Sequence, residues 1–287
     1  MATILICGHR AYAARGLKEV LESAGHNVLE FSRGCFERSG NVITGPVTSI
    51  DNNAYFNEDV DVVINFILLQ QQNVEENVKY INSLLRFCVT KRVKRLIQIS
   101  SISAYPNDCV LISENTPTET DLKKKGGYGI LKSAIDNRLK EAKNNVNFDI
   151  VFVRPGYIVA DDNPHKYQGV AKFIGSNFSV LIGNKRSTLP IIHRDVLHKC
   201  LLEISTQTSP LPVYLLVEGQ GSTKYSYFKS QCNAKIIPLP KWPFVLIANL
   251  ARYLHLISDK TSSGIKGVFK VQKFDNTLTK NRLKFLK

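Results

Sequence analysis

The chain alternates short, continuously apolar runs with longer stretches in which apolar residues recur at helical spacing. Thr3 to Cys7 is the first such run. A helical pattern through Leu17, Val20, Leu21 and Ala24 follows it, then Gly25-His26-Asn27 and a second run from Val28 to Phe31. This is the grammar of a β-α-β unit, and runs without alternation are those of strands buried on both faces. The pattern continues. An irregular stretch with turn signals at Gly34, Gly40 and Gly45-Pro46 precedes a buried strand over Asp61 to Phe66. A helix over Gln70 to Thr90 and a strand over Val93 to Ser100 come next. In the helix around Tyr128, the residues Tyr128, Lys132, Ile135 and Leu139 share one face, widened by Leu131 and Ala134; a strand over Phe148 to Val153 ends the regular part. The regularity then loosens. Residues 157–190 read as loops with a helix near Val170 to Ile174, Ile191 to Val196 opens a helix through Ile204, and Val213 to Val217 is a last strand. The reading is an α/β fold, a Rossmann-type doubly wound parallel sheet over residues 1–156 with a smaller C-terminal lobe over 157–287, of which Ile191 to Val217 returns to the core.

Composition adds compartment and charge. At 287 residues and 44% hydrophobic content the chain can bury a large core. Its six cysteines show neither C-x-x-C pairs nor zinc spacing, which fits reduced thiols and no metal site. The first residues lack a basic leader region, so a cytoplasmic location is expected. The net charge of +14 is concentrated late: residues 221–287 carry thirteen Lys or Arg against Asp259 and Asp275. That is one basic surface, and without aromatic interleaving it does not point to nucleic acid. The most apolar segment, Trp242 to Ile257, is too short and too interrupted by Asn249, Arg252 and His255 to span a membrane. It reads as a core helix of the C-terminal lobe, with peripheral association at an anionic membrane as the alternative.

The candidate chemistry begins at Tyr128-x-x-x-Lys132, which places a phenol and an ammonium one helical turn apart; a nearby cation lowers a tyrosine pKa toward the range useful for proton transfer. Ser100 and Ser101 close the preceding strand, at the end where parallel sheets bind ligands. After the first strand, Gly8, Ala11 and Ala14 keep a three-residue spacing of small side chains, and packing and cofactor binding fit these residues equally. Ser32-Arg33 ends the second strand where NAD-binding folds place an acid, a substitution suited to the 2′-phosphate of NADP.

Together these features, with Asp61-Val62-Val63-Ile64, Asn77, Ser100-Ser101-x-x-x-Tyr105, Arg154-Pro155 and Ile192-His193-Arg194-Asp195-Val196, resemble the extended short-chain dehydrogenase/reductase family, in its NAD-dependent epimerase/dehydratase branch acting on nucleotide sugars. Phe274-Asp275-Asn276 resembles that branch's closing segment. The resemblance implies catalysis by Ser101, Tyr128 and Lys132, with Ser101 preferred over Ser103 because it lies four residues before Tyr105. It implies cofactor contacts from Gly8, Ala11, Tyr12, Ala14, Ser32, Arg33, Phe66, Ile67, Lys132, Arg154 and Pro155. Substrate contacts are expected from Ser103, Lys185 and Arg186. Expected ligands are NADP, or NAD, and a nucleotide-sugar substrate; a homodimer is a further expectation. The chain departs from the family at Ile67, where a small residue is usual, and at Leu189, where an arginine often meets the substrate diphosphate. A second reading is therefore a family member that binds a dinucleotide without turnover.

Overall fold

The computed structural model describes residues 1–70, 73–160, 162, 171–174, 178–181, 183–218, 223–231, 235–254, 256 and 271–286. Its frame is a sheet built from β1 (Thr3–Cys7), β2 (Asn27–Arg33), β3 (Glu37–Ser39), β4 (Val42–Gly45), β5 (Val62–Asn65), β6 (Arg95–Ile99), β8 (Asp149–Pro155) and β13 (Val213–Leu216). The strand order is β13-β8-β6-β5-β1-β2-β4-β3. Every pairing is parallel except that of β3 with β4 at the edge. The hairpin β3–β4 occupies the stretch expected to be irregular. Gly40, at positive φ, turns its chain, and β4 pairs in parallel with β2 through Glu30↔Val42 and Phe31↔Ile43.

Helices cover both faces. On one, α2 (Val74–Thr90) and α3 (Gly127–Lys143) join Leu5, Leu29, Val63 and Leu96 in a single core; on the other, α1 (Leu17–Ser23) and α4 (Arg194–Thr206) join Ile4, Ile6, Ile64 and Ile97. This is the Rossmann arrangement, and its order reverses between β1 and β5, the point where such sheets open a crevice. Helix α2 starts at Val74 rather than at Gln70, because the Asn73 side chain accepts from Glu76 N–H and caps it, with Glu75 and Glu76 in the favourable first turn.

The small lobe uses β10 (Ala171–Ile174), β11 (Phe178–Leu181) and β14 (Lys235–Pro238), with α5 (Lys224–Gln231) and α6 (Lys241–Tyr253). The helix expected near Val170 to Ile174 is strand β10, antiparallel to β11 through Lys172↔Val180 and Phe173↔Ser179. The apolar run is too short to set a helical period, and pairing with a second run of aromatic and branched residues decides it. Two short pairs tie lobe to core: β9 (Tyr157–Val159) with β12 (Ile191–His193), and β7 (Leu111–Ser113) with β15 (Lys273–Asp275). The chain end also returns. After α7 (Thr277–Arg282), Leu283 and Leu286 pack into the same core as Ile4 and Leu197, a return that residue pattern alone did not indicate.

Candidate active site

The carboxyl ends of β1, β5, β6 and β8 surround a cleft of about 730 Å³, whose walls include Tyr12, Phe66, Ser101, Ser103, Tyr128, Lys132 and Pro155. A second trough of about 500 Å³ is lined by Gly8, Arg10, Ser32, Arg33 and Ile67. The two share Ala11, Phe66, Leu68 and Gln70, so they form one continuous groove across the switch point. Its middle is held by backbone clamps. Asn77 of α2 accepts from Leu69 N–H and donates to Leu69 O, while Asn65 accepts from Ile67 N–H and from the Tyr80 hydroxyl.

Tyr128 stands at the start of α3, and Lys132 follows one turn later with its ammonium 5.8 Å from the tyrosine ring centroid. Helix α3 can approach the serine turn because Gly129 packs against it; a Cβ there would lie 3.2 Å from Ser103 O. Ser101 caps the turn over Ile102–Ala104, its Oγ accepting from Ser103 N–H at 3.1 Å, and it lines the same cleft as Tyr128. Although 46% of the Tyr128 surface is open to the cleft, burial of the phenol pushes its pKa up, partly offset by the Ser101 hydroxyl. The Lys132 ammonium donates to Ile99 O at 2.7 Å. Burial depresses Lys132 itself to about 8, against the opposing field of Asp136.

Beneath the cleft floor lies a buried polar cluster. Asp136, one further turn along α3, accepts from Ser100 Oγ at 2.8 Å and from Arg154 Nη2 at 3.1 Å. The Arg154 guanidinium stacks on Tyr105, 4.7 Å from its centroid. Burial raises the Asp136 pKa, with Arg154 and Ser100 opposing. One carboxylate therefore faces two buried cations, Arg154 and Lys132, and ties the ends of β6 and β8 to α3.

The trough has features that fit a dinucleotide. Gly8 has φ +85°, and a Cβ there would meet Ile67 Cγ1 at 2.9 Å, so only glycine serves at this turn. Ser32 Oγ and the Tyr12 hydroxyl are buried without a protein partner, which suits groups that meet a ligand. Arg33 is exposed beside Ser32, and no acidic side chain lines this trough among the described residues. The turn over Tyr12–Ala14 is 3-10 and is separated from α1 by Gly16, at φ +89°, so the first helix begins later than a helix opening on a phosphate would. His198 of α4 braces this turn through a 2.9 Å contact of Nε2 with Ala13 O.

Four expected site residues lie elsewhere. Arg154 is 1% exposed and does not line the groove, because its guanidinium is engaged by Asp136 and Tyr105. Lys185 and Arg186 are exposed on the turn after Asn184, whose Oδ1 accepts from Arg186 N–H, and neither reaches the cleft. Ala14 is buried in the core beside the turn rather than in the groove wall. Three groups were missed. Arg10 lines the trough, Asp136 organises the floor, and Gln272 near the chain end lines the cleft with Phe274. Asp136 was within reach of the sequence, since Tyr128, Lys132 and Asp136 repeat every four residues.

The sheet is of the Rossmann type, with one continuous groove at its switch point. The model of the NAD dependent epimerase/dehydratase family matches residues 4–189, more than half of the chain, and the chain belongs to that family. A comparison with curated sequences finds no match. Among solved structures, the chain is similar to an NAD dependent NDP-hexosamine 5,6-dehydratase, TunA, involved in tunicamycin biosynthesis, at 13% identity and a TM-score of 0.66, covering 99% of this chain and 91% of that one. It is similar to the Bordetella bronchiseptica enzyme WbmG, crystallised with NAD and UDP, at 14% identity and a TM-score of 0.66, covering 98% and 87%. A human epimerase family protein crystallised with NADPH is similar at 16% identity and a TM-score of 0.66, covering 98% and 93%.

Proposed function

We propose that the chain is an NAD(P)-dependent enzyme acting at a carbinol or carbonyl carbon of a nucleotide-linked sugar. The observation that carries this reading is the meeting of Ser101, Tyr128 and Lys132 at one cleft on the carboxyl side of the sheet, in a member of the epimerase/dehydratase family. The Gly8 turn, Tyr12, Ser32, Arg33, Phe66 and Lys132 would hold the dinucleotide. When bound, it supplies the hydride chemistry that protein side chains lack. Tyr128 Oη moves the proton. Protonated at neutral pH as a phenol ordinarily is, it donates to a sugar carbonyl oxygen, and in the reverse direction its phenolate receives the proton of a hydroxyl. Ser101 shares that oxygen and steadies the phenolate by a hydrogen bond. The ligands of the two relatives, UDP with NAD and NADPH, support the substrate and cofactor classes by analogy. NADPH is preferred over NADH because Arg10 and Arg33 line the trough with no carboxylate to repel a 2′-phosphate. A second copy of the chain belongs to the same proposal and is checked by sedimentation equilibrium.

The test is Tyr128→Phe in a screen of UDP- and dTDP-sugars with NADPH. Turnover should fall by about 100-fold or more, with NADPH affinity within a few fold of the parent. Near-parent activity in the variant overturns the mechanism. Ile67 against Gly8 favours one other reading, dinucleotide binding without turnover; tight NADPH binding with no sugar nucleotide turned over would select it.

A further inference from the structure

Helix α6 presents its apolar side to solvent. Trp242 is 71% exposed, Leu246 60%, Ile247 63%, Leu250 57% and Tyr253 80%, while Ala248, on the opposite side, is 1% exposed. By helical spacing Trp242, Leu246, Leu250 and Tyr253 form one stripe, with Ile247 and Leu254 beside it. A surface helix of a globular protein has the reverse orientation, so the reading of this segment as a core helix is corrected. Ile237 of the preceding strand and Leu256 are exposed as well. An apolar surface of this continuity marks a docking face. Among the described residues no helix is long and apolar enough to cross a membrane.

Charge identifies what docks. From residue 219 to residue 258 the chain contains no Asp or Glu, whereas it carries Lys224, Lys229, Lys235, Lys241 and Arg252. Lys229, Lys235 and Lys241 are exposed. We infer that α6 lies in the interface of an anionic lipid bilayer, its Leu and Ile side chains among the acyl chains, Trp242 and Tyr253 at headgroup depth, and the lysines against the lipid phosphates. A second copy of the chain would bring the same basic rim against itself. Nucleic acid would find mostly aliphatic side chains here, with few faces on which bases stack. The lobe carrying α6 also forms a wall of the cleft: Val159 and Ile191 belong to the lobe core, and Tyr157 and Ile158 of the same strand pair line the cleft. Docking would therefore hold the groove close to the bilayer surface.

Trp242 is the sole tryptophan of the chain, so its emission reads this helix alone. The full chain is mixed with vesicles of phosphatidylcholine containing phosphatidylglycerol, and with vesicles of phosphatidylcholine alone. Expected results are a blue shift and quenching by brominated lipid with the anionic vesicles, co-sedimentation at low salt, and a weaker response on neutral vesicles. Leu246→Glu with Leu250→Glu should reduce the bound fraction by about tenfold or more; Lys235→Glu with Lys241→Glu should reduce it at low salt and leave less salt dependence. Two results overturn the proposal. One is an unshifted tryptophan and no pellet at low salt. The other is a blue shift that needs no lipid and grows with protein concentration, which would assign the face to a second copy of the chain.

Discussion

Helix α2 in the core and helix α6 in the small lobe are both amphipathic, and they dispose of their apolar sides in opposite ways. Helix α2 buries Tyr80, Ile81, Leu84, Phe87 and Cys88 against the sheet and leaves Lys79 and Arg86 outside. Helix α6 buries Ala248 and leaves Trp242, Leu246, Ile247 and Leu250 outside. Burying a leucine or isoleucine contributes about 1.5 to 3 kcal/mol relative to exposing it. The core collects that stabilisation many times over, and α6 leaves most of its share uncollected. An apolar stripe thus shows which residues belong together on one face, while the neighbours available to that face decide whether folding or a later encounter buries it. In the core the sheet is the neighbour. In the lobe, Ala248 is the side of α6 that finds a neighbour.

A defect in the core's polar cluster should break this contrast most severely. Asp136→Asn leaves Arg154 and Lys132 buried with no carboxylate between them. Removing one partner of a buried pair costs about 3 to 5 kcal/mol, and the loss should appear as a lower midpoint in urea unfolding. An unchanged midpoint would mean that the cluster holds neither β6 nor β8 to α3.

The next effect is a pH dependence. Lys132 has a folded pKa lowered from 10.5 to about 8. Below pH 8 both folded and unfolded chains hold its proton. Between 8 and 10.5 the unfolded chain binds it more, so stability contributed at this position rises with pH across that window and is flat beneath it. Relative to Lys132→Met, the parent should gain up to about 3 kcal/mol between pH 8 and pH 10.5, read from urea unfolding at each pH. A difference independent of pH would place the ammonium in a far wetter site than 3% exposure implies.

A smaller loss is expected at the groove. Gly8→Ala forces a side chain into positive φ and against Ile67, costing about 1 to 3 kcal/mol. Thermal melts of the variant and the parent read the loss. NADPH affinity should fall with Gly8→Ala in a fluorescence titration.

What the residues disclosed in advance follows the same division. Core strands and helices were legible because burial on both faces writes long apolar runs at fixed periods, as in Ile4-Leu5-Ile6 and Val62-Val63-Ile64. Tyr128, Ser101 and Lys132 were legible as a spaced set, and the structure brings them together. Lys185 and Arg186 were placed by proximity in sequence to the expected substrate region, and a three-dimensional turn at Asn184 carries them outward. Arg154 was expected at the cofactor, but a guanidinium beside a buried carboxylate is held by it first. Strand β10 was misread because a short apolar run has no period of its own. Gln272 and the return of Leu283 and Leu286 depend on long-range packing that no local pattern records.

The smallest effect is also the most direct comparison of the two helices. Leu84→Ala on α2 removes a fully buried side chain and should cost about 2 to 5 kcal/mol, by lost transfer energy and the cavity left behind. Leu250→Ala on α6 removes a side chain that is 57% exposed. Little surface returns to water and little cavity forms, while alanine's helix propensity roughly matches leucine's. The expected change is within about 0.5 kcal/mol of zero, with the urea midpoint of the full chain scarcely moved. The measurement is chemical unfolding of both variants under one buffer at low protein concentration, so that association through the exposed face does not enter. A loss for Leu250→Ala approaching that of Leu84→Ala would mean that α6 is covered within the monomer, and the two helices would then differ in neighbours but not in burial.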